Sequence, residues 1–265
     1  MDDDLESRRP DAIPWGFWSF ARVAYLVFSD NPILAVWLGI GTIASFLAGR
    51  FLLPATPAFD AATDFAELGD FFLATAAIFA VLFLIGLLLE VGVTFNGLAA
   101  YRQFGVDMRA GWRVIQGCLP GIFLFALSWL ALALAIGAVV GFLAFVNPAL
   151  AVIGALLGAG AVVGYLFVSF YFVPLLVDTG ASVPNLLRES LRLARLTGSE
   201  IVLYWIVSVA AAILTSLITS ESGILSVVAL VVANLANMLL LTFLAVLRCI
   251  IYENSVERFA PESEP

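Results

Sequence analysis

Four polar residues lie inside long apolar stretches of the sequence and are the residues best placed to do chemistry. Glu90 and Asn96 lie toward the far end of one stretch, and Asn234 and Asn237 lie near the middle of another. A polar group inside an apolar span is costly to bury, so each is a candidate intramembrane site. Glu90 can couple to a proton or a cation. The two later asparagines are three positions apart and share a helix face that can bind a polar solute.

Structural roles are the alternative for the same residues. Counted from Phe71 at about 1.5 Å per residue, Glu90 lies near the inner edge of the hydrocarbon layer. Arg102, Arg109 or water can therefore partner its carboxylate. The paired asparagines can form hydrogen bonds between helices. Other hydroxyl groups can extend such a network or bond to their own helices; they are Ser169, Ser208, Thr215 and Thr242.

The residue types that are missing exclude whole classes of enzyme and cofactor. The chain has no histidine and no lysine. A histidine-based triad, a histidine-ligated haem, a retinal Schiff base and a phosphate-binding P-loop are therefore ruled out. Cys118 and Cys249 are far apart, so neither a four-thiolate centre nor a disulfide is expected. A hydrolase built from carboxylates alone would need Asp178 beside Glu90. We predict no catalytic residue, no metal site, no cofactor and no enzymatic activity.

Five arginines lie on two short amphipathic segments, each of which precedes a new apolar stretch. They are Arg109, Arg113, Arg188, Arg192 and Arg195. At about 100° per residue, the arginines of each segment share one helix face. The opposite, leucine-rich face of the second segment is expected to lie at the acyl boundary of a bilayer. The arginine faces can bind lipid headgroups or an acidic partner protein, and ordinary positive-inside anchoring explains them equally well.

The elements that must position these residues are membrane-spanning helices. The chain has 265 residues, of which 63% are hydrophobic and only 12% are charged, too few polar residues for one water-soluble core. Uninterrupted Leu- and Ala-rich runs favour helices over an outer-membrane barrel. Six runs reach the roughly 20 residues that span a bilayer. They cover about 33–53, 71–98, 120–145, 149–177, 201–219 and 224–250.

The spacing of these runs predicts an all-α polytopic fold of six transmembrane helices in three hairpins. Each hairpin is preceded by an amphipathic interfacial helix, at 14–28, after Asp107, and at 183–197. Close packing of the two arms of the Val146-Asn147-Pro148 turn is predicted from glycines in both arms. They are Gly137, Gly141, Gly154, Gly158, Gly160 and Gly164. The predicted domain covers 14–254, with repeat-like units 14–101, 102–180 and 181–254, between acidic tails at 1–13 and 255–265.

The distribution of arginine predicts the orientation. Eleven of the 12 arginines fall on one side of this topology and only Arg50 falls on the other. The positive-inside rule then places both termini and the interfacial helices in the cytoplasm, with the protein in the cell membrane. Acids precede the first arginines, so the N-terminal segment is not expected to be a cleaved secretory signal. Arginine without lysine, beside acidic tails, suggests an archaeal, halophilic or GC-rich prokaryotic source.

Two stretches carry a family resemblance. VPLLVDTGASVPNLLRESLRLAR precedes a new span, and the last span ends on FLAVLRCIIYENSVER. Together they resemble uncharacterised six-span prokaryotic membrane proteins related to the membrane domain of glycerophosphodiester phosphodiesterases. The catalytic domain of those enzymes is a separate soluble barrel that has no counterpart in this chain. The resemblance implies a helical membrane module and transfers no activity.

Two functional hypotheses follow. The first is a non-catalytic membrane module with an accessory or scaffold role, which binds lipid, a membrane-protein partner or a second copy of itself. The alternative is a small transporter or channel for a solute or ion, built around Glu90 and the face of Asn234 and Asn237. Nucleic acid is not an expected partner, because the net charge is −8 and the basic residues are dispersed along membrane edges.

Overall fold

The computed structural model describes residues 13–52, 65–218 and 224–259, and within these ranges the fold is entirely helical. The helices are α1 Phe17–Asp30, a 3-10 turn Pro32–Leu34, α2 Ala35–Phe51, α3 Phe65–Tyr101, α4 Met108–Val146, α5 Pro148–Val168, α6 Phe172–Thr179, α7 Val183–Leu196, α8 Gly198–Ile218 and α9 Ile224–Phe259. Residues 1–12, 53–64, 219–223 and 260–265, which include most of the predicted N-terminal tail and part of the predicted C-terminal tail, lie outside the described residues.

Four helical segments are long and apolar enough to span a membrane. They are Leu73–Tyr101, Met108–Val146, Ala149–Thr179 and Val232–Phe259. Two further pairs of helices pass the same test but are sharply bent, by 91° between α1 and α2 and by 94° between α7 and α8. The described chain therefore has four candidate spans, or six if each bent pair is one span. The described residues confirm an all-helical fold with four to six candidate membrane spans.

The first bend follows from an Asn-Pro pair. The residue before a proline is disfavoured in the α conformation, and Asn31 accordingly adopts φ −130° and ψ 60°. The backbone N–H of Asn31 donates to Phe28 O at 3.1 Å, and its side-chain amide donates to Val27 O at 3.0 Å. These bonds satisfy the last carbonyls of α1, so the chain can turn where Pro32 begins the next helical segment.

The predicted interfacial helix at 183–197 is present as α7, but its apolar face is not at an acyl boundary. Leu186, Leu193 and Ala194 are buried in the protein's own core. Ser190 on the same face accepts the backbone N–H of Tyr171 at 3.0 Å, which holds α7 against the start of α6. Its arginine face is exposed, as predicted. The difference arises because the connections on both sides of α7 are short and fold it back onto the bundle.

The second predicted interfacial helix is not a separate element. Asp107 caps it as expected, accepting the backbone N–H groups of Arg109 at 2.9 Å and Ala110 at 3.0 Å. The helix then continues through Pro120 to Val146, for 39 residues. A proline removes one intrahelical hydrogen bond but does not end a helix that neighbouring helices support. The arginine segment of this unit is therefore the first part of α4.

Only part of the glycine pattern packs the α4–α5 hairpin. A methyl group added at Gly154 would lie 2.8 Å from Leu143, and one at Gly158 would lie 2.5 Å from Ile136. The other four glycines expected at this contact, Gly137, Gly141, Gly160 and Gly164, have open space where a side chain would stand. The two arms therefore meet along one narrow line on α5, and the remaining glycines face outward.

Trp37 joins three helices at the centre of the core. It belongs to α2 and is only 3% exposed. A methyl group at Gly92 of α3 would lie 2.7 Å from its ring, and one at Gly111 of α4 would lie 2.9 Å from it and 2.5 Å from the Asn96 amide nitrogen. Both glycines are therefore required for the close approach of α2, α3 and α4.

We predict that Gly111→Ala destabilises the protein by about 1–3 kcal/mol, because the added methyl overpacks Trp37 and Asn96. Gly117→Ala in the same helix is the matched control, since nothing lies within 4 Å of its added methyl. The control is expected to be neutral, or more stable by up to about 1 kcal/mol from helix propensity. Thermal unfolding of both variants in detergent tests this, and equal melting temperatures would contradict the packing argument.

Candidate functional site

Glu90 pairs with an arginine that the sequence did not single out. Its carboxylate in α3 forms a salt bridge with the guanidinium of Arg248 in α9. The two side chains are only 22% and 13% exposed, and the guanidinium also lies 5.9 Å from the centre of the Phe170 ring. The predicted partners Arg102 and Arg109 are wrong, because α9 packs directly against α3 at the depth of Glu90. The ion pair leaves the carboxylate neutralised within the bundle.

Arg102 ties together the ends of three helices. Its Nε and Nη2 donate to the two carboxylate oxygens of Glu253 at 2.9 and 2.6 Å, and Nη1 donates to Asp178 Oδ1 at 3.0 Å. The hydroxyl of Tyr252 donates to the other oxygen of Asp178 at 3.0 Å. The hydrogen bond to Glu253 is the main reason that the pKa of Arg102 lies above its ordinary value. We call the end of the bundle that contains this cluster the arginine end.

A second network, around Tyr171, is fully buried. The Tyr171 hydroxyl lies 2.6 Å from Thr197 Oγ1 and 3.2 Å from Ser255 Oγ. Tyr171 stands in the short break between α5 and α6, Thr197 stands at the bend between α7 and α8, and Ser255 belongs to α9. The network fixes that bend to the last helix. Its members are ordinary residue types, two at breaks between helices and one within α9, so no sequence signal marked them.

Asn96 has a structural role in the turn between α3 and α4. Its side-chain amide donates to Gly92 O at 3.0 Å, and its carbonyl oxygen accepts the backbone N–H of Asp107 at 2.8 Å. The residue is 0% exposed. It therefore closes the α3–α4 connection beside the cap of α4. Three of the hydroxyls considered for a network, Ser169, Ser208 and Thr242, bond to backbone carbonyls of their own helices.

Asn234 and Asn237 line a cavity of about 380 Å³ between α2, α3 and α9, which we call the polar cavity. Its lining residues are Leu38, Gly41, Thr42, Ser45, Leu82, Gly86, Leu89, Asn234, Asn237 and Leu241. The structure thus brings the two asparagines together with two hydroxyl groups. Glu90 and Asn96 are not among these lining residues, so the four candidate polar residues do not form one site.

A larger cavity of about 580 Å³ adjoins the first between α2 and α3, and we call it the apolar cavity. It is lined by Ala44, Leu47, Ala48, Phe51, Leu52, Ala77, Ile78, Val81, Leu82 and Ile85. Several of these side chains also face outward; Phe51, for example, is 75% exposed and Leu52 is 64% exposed. The apolar cavity is therefore open to the surface of the bundle. No sequence pattern indicates this cavity, because its lining residues are of the same apolar types as those of the other spans.

The five surface arginines do not behave alike. Arg192 donates to the carboxylate of Glu189 and, at 3.1 Å, to the backbone carbonyl of Phe259, so it holds α7 to the end of α9. All five are exposed, and the other four are Arg109, Arg113, Arg188 and Arg195. Within the described ranges, no cluster of three or more His, Cys, Asp or Glu that could hold a metal is present. Both cysteines are buried free thiols.

We predict that Glu90→Gln and Arg248→Met each destabilise the protein by about 3 kcal/mol, because each leaves one charge buried without its partner. The double variant should lose much less than the sum of the two, since it removes both charges. A double-mutant cycle tests this: the thermal unfolding of the wild type and the three variants is measured in detergent. Additive losses would show that the two side chains do not interact.

We predict a pH dependence that comes from Asp107. Hydrogen bonds from the backbone of Ala110 and Arg109, with the charges of Arg113 and Arg109, hold the pKa of Asp107 below its ordinary value. A lowered pKa stabilises the fold above the unfolded pKa of about 4, and this contribution is lost as pH falls through the folded pKa. Asp107→Asn keeps a capping oxygen without a titration. Melting temperatures between about pH 6 and about pH 3 should therefore fall less steeply in the variant.

No family model, curated protein or solved structure matches this chain. The resemblance to the membrane domain of glycerophosphodiester phosphodiesterases therefore stays a prediction. Two residues that carry it, Asp178 and Tyr252, share a hydrogen bond in the Arg102 cluster.

Proposed function

We propose that this protein is a non-catalytic membrane module that binds lipid or a membrane-protein partner. In this proposal α2 and α8 each span the membrane, and α1 and α7 lie along its surface across the two sharp bends. This gives six transmembrane helices in three hairpins. The arginine end faces the cytoplasm of a cell membrane, in keeping with the positive-inside rule. Exposed arginines on the first part of α4 and on α7 then meet anionic headgroups or a partner at the same surface.

The internal pairing of charged residues carries this proposal. Glu90 is bound to Arg248, and Asp178 is bound to both Arg102 and Tyr252. A carboxylate that transfers protons or cations must exchange them with the ligand, and a persistent ion pair opposes that exchange. The two carboxylates required by the hydrolase hypothesis also have different partners. Carboxylates fixed in ion pairs therefore favour a binding module over a protein that transfers protons or cations.

The α4–α5 hairpin supplies a broad apolar surface for such binding. Phe145 is 90% exposed, Leu156 is 70% exposed and Phe142 is 67% exposed. In a bilayer this surface meets acyl chains or the helices of another membrane protein. The arms of the hairpin pack on one another, so most of their circumference is available for contact.

A small transporter or channel is the second candidate, and the polar cavity is the observation that favours it. Asn234, Asn237, Thr42 and Ser45 surround a space large enough for a small solute, between helices that are otherwise apolar. Polar cavities between helices of a bundle are common ligand sites. Under this alternative a solute would pass through the polar cavity rather than past Glu90.

The first experiment is gentle extraction from native membranes, followed by native mass spectrometry of the purified protein. We expect a stoichiometric membrane-protein partner or retained lipid. Replacing the exposed arginines Arg109, Arg113, Arg188 and Arg195 with glutamine should weaken retention of anionic lipid by about tenfold to about a thousandfold in total, since each contributes up to about 1 kcal/mol near a charged surface. A lone protein without partner or lipid would contradict the proposal.

A flux assay distinguishes the module from the transporter. We expect liposomes that contain the purified protein to be no more permeable to small solutes and ions than empty liposomes. Asn234→Ala/Asn237→Ala is the informative variant, because it changes the polar cavity and spares the Glu90 ion pair. Flux above background that disappears in this variant, but persists in Gly160→Ala on the outer face of α5, would replace the module with the transporter.

A further inference from the structure

We propose that the polar cavity and the apolar cavity together bind one uncharged long-chain lipid. Its head group hydrogen-bonds inside the polar cavity, and its hydrocarbon tail occupies the apolar cavity. This inference rests on the proposed lipid-binding role and names the chemical class of the lipid. It concerns two cavities between α2, α3 and α9 that open to the surface of the bundle, and it is independent of the exposed arginines.

The two cavities follow one another along the same pair of helices. On α2 the polar cavity is lined between 38 and 45 and the apolar cavity between 44 and 52. On α3 they are lined between 82 and 89 and between 77 and 85, and Leu82 contributes to both. The eight steps from 77 to 85, at about 1.5 Å each, make the apolar cavity about 12 Å long. A molecule with a polar head and an extended tail matches this succession.

The polar cavity offers hydrogen bonds and space for a head group. The carboxamide of Asn237 supplies both a donor and acceptors. The Thr42 hydroxyl donates to Leu38 O at 2.9 Å, and its oxygen can still accept a bond. Nothing lies within 4 Å of a methyl group added at Gly86, so the space beside this glycine is open. In apolar surroundings such hydrogen bonds are stronger than in water and select among lipids whose tails are alike.

The lining excludes a charged head group. Among the described residues that line either cavity, none carries a charge. Glu90 follows the lining residue Leu89 in sequence, but its carboxylate is bound to Arg248. A phosphate or carboxylate in the polar cavity would be buried without a counter-charge, which is strongly unfavourable. A hydroxyl, ester or amide head group avoids this penalty.

The ligand enters from the bilayer rather than from water. Residues on the rim of the apolar cavity are exposed at the surface of the bundle, as Phe51 and Leu52 show. Ser45 of the polar cavity is exposed on the same helix. Both cavities lie in the range of about 300–1,000 Å³ that is usual for ligand sites. A lipid can therefore slide sideways between α2 and α3 with its head leading.

Photo-crosslinking tests the inference on the full-length protein. The protein is placed in nanodiscs of dioleoylphosphatidylcholine that contain a diacylglycerol with a diazirine in one acyl chain, and cross-linked peptides are mapped by mass spectrometry. We expect labelling of α2 and α3 along the apolar cavity. Unlabelled dioleoylglycerol should compete for this labelling, and dioleoylphosphatidic acid, which differs by a charged phosphate, should not.

Two variants alter the polar cavity in different ways. Gly86→Leu fills the open space, and Asn237→Leu removes a hydrogen-bonding head-group partner. Each should reduce labelling of α2 and α3 by about tenfold or more. Gly160→Leu on α5 is the matched control, since its added side chain also meets open space, and it should label like the wild type. If Gly86→Leu fails to fold, the labelling of Asn237→Leu still tests the inference.

Three results would overturn the inference: labelling that is equal in all variants, labelling confined to α4 and α5, or equal competition by phosphatidic acid. These results leave the proposed function standing if native mass spectrometry still finds a partner or phospholipid. Conversely, loss of every partner and lipid in that measurement, together with solute flux, would remove the proposed function. The two failures are therefore distinguishable.

Discussion

Charge neutralisation inside an apolar bundle is the constraint on which the rest of this structure depends. A charged side chain within a bilayer must find a partner in the protein, because no water is present to solvate it. Arg248 meets Glu90 in this way, and Arg102 meets Asp178 and Glu253 where three helices end. Each pair joins segments that are far apart in sequence. Together they fix the relative positions of α3, α6 and α9, and the remaining helices pack around that frame.

The breaks between helices are also stabilised by polar side chains. The break between α5 and α6 and the bend after α7 expose polar backbone groups that a bilayer cannot satisfy. Tyr171, Ser190, Thr197 and Ser255 supply the missing hydrogen bonds at these points. Asn96 does the same for the turn into α4. These polar residues of the arginine end therefore serve mainly to hydrogen-bond the backbone where helices end or bend. The cavities beside Asn237 lie apart from them and remain available for a ligand.

Much of the helical organisation could be predicted from the sequence, since hydropathy and breaker residues are local signals. A helix was predicted to begin after Asp107, and the structure confirms that Asp107 caps α4. Pro120 was misleading: a proline favours a break, but the surrounding apolar residues support one continuous α4. The glycines of α4 and α5 were misleading as well, because spacing alone does not tell which helix face meets the other arm. Four of the six glycines lie on faces that do not contact the other arm, which only the structure shows.

The sequence by itself determined that the chain forms apolar helices with membrane-spanning length, that histidine and lysine chemistry is excluded, and that Asn234 and Asn237 share one face. These properties depend on residue types and on helical period, which are local. Only the tertiary structure decided which charges pair, that Asn96 closes a turn, and that a polar and an apolar cavity adjoin at Leu82. These properties depend on how distant helices approach one another, and packing between side chains sets that approach.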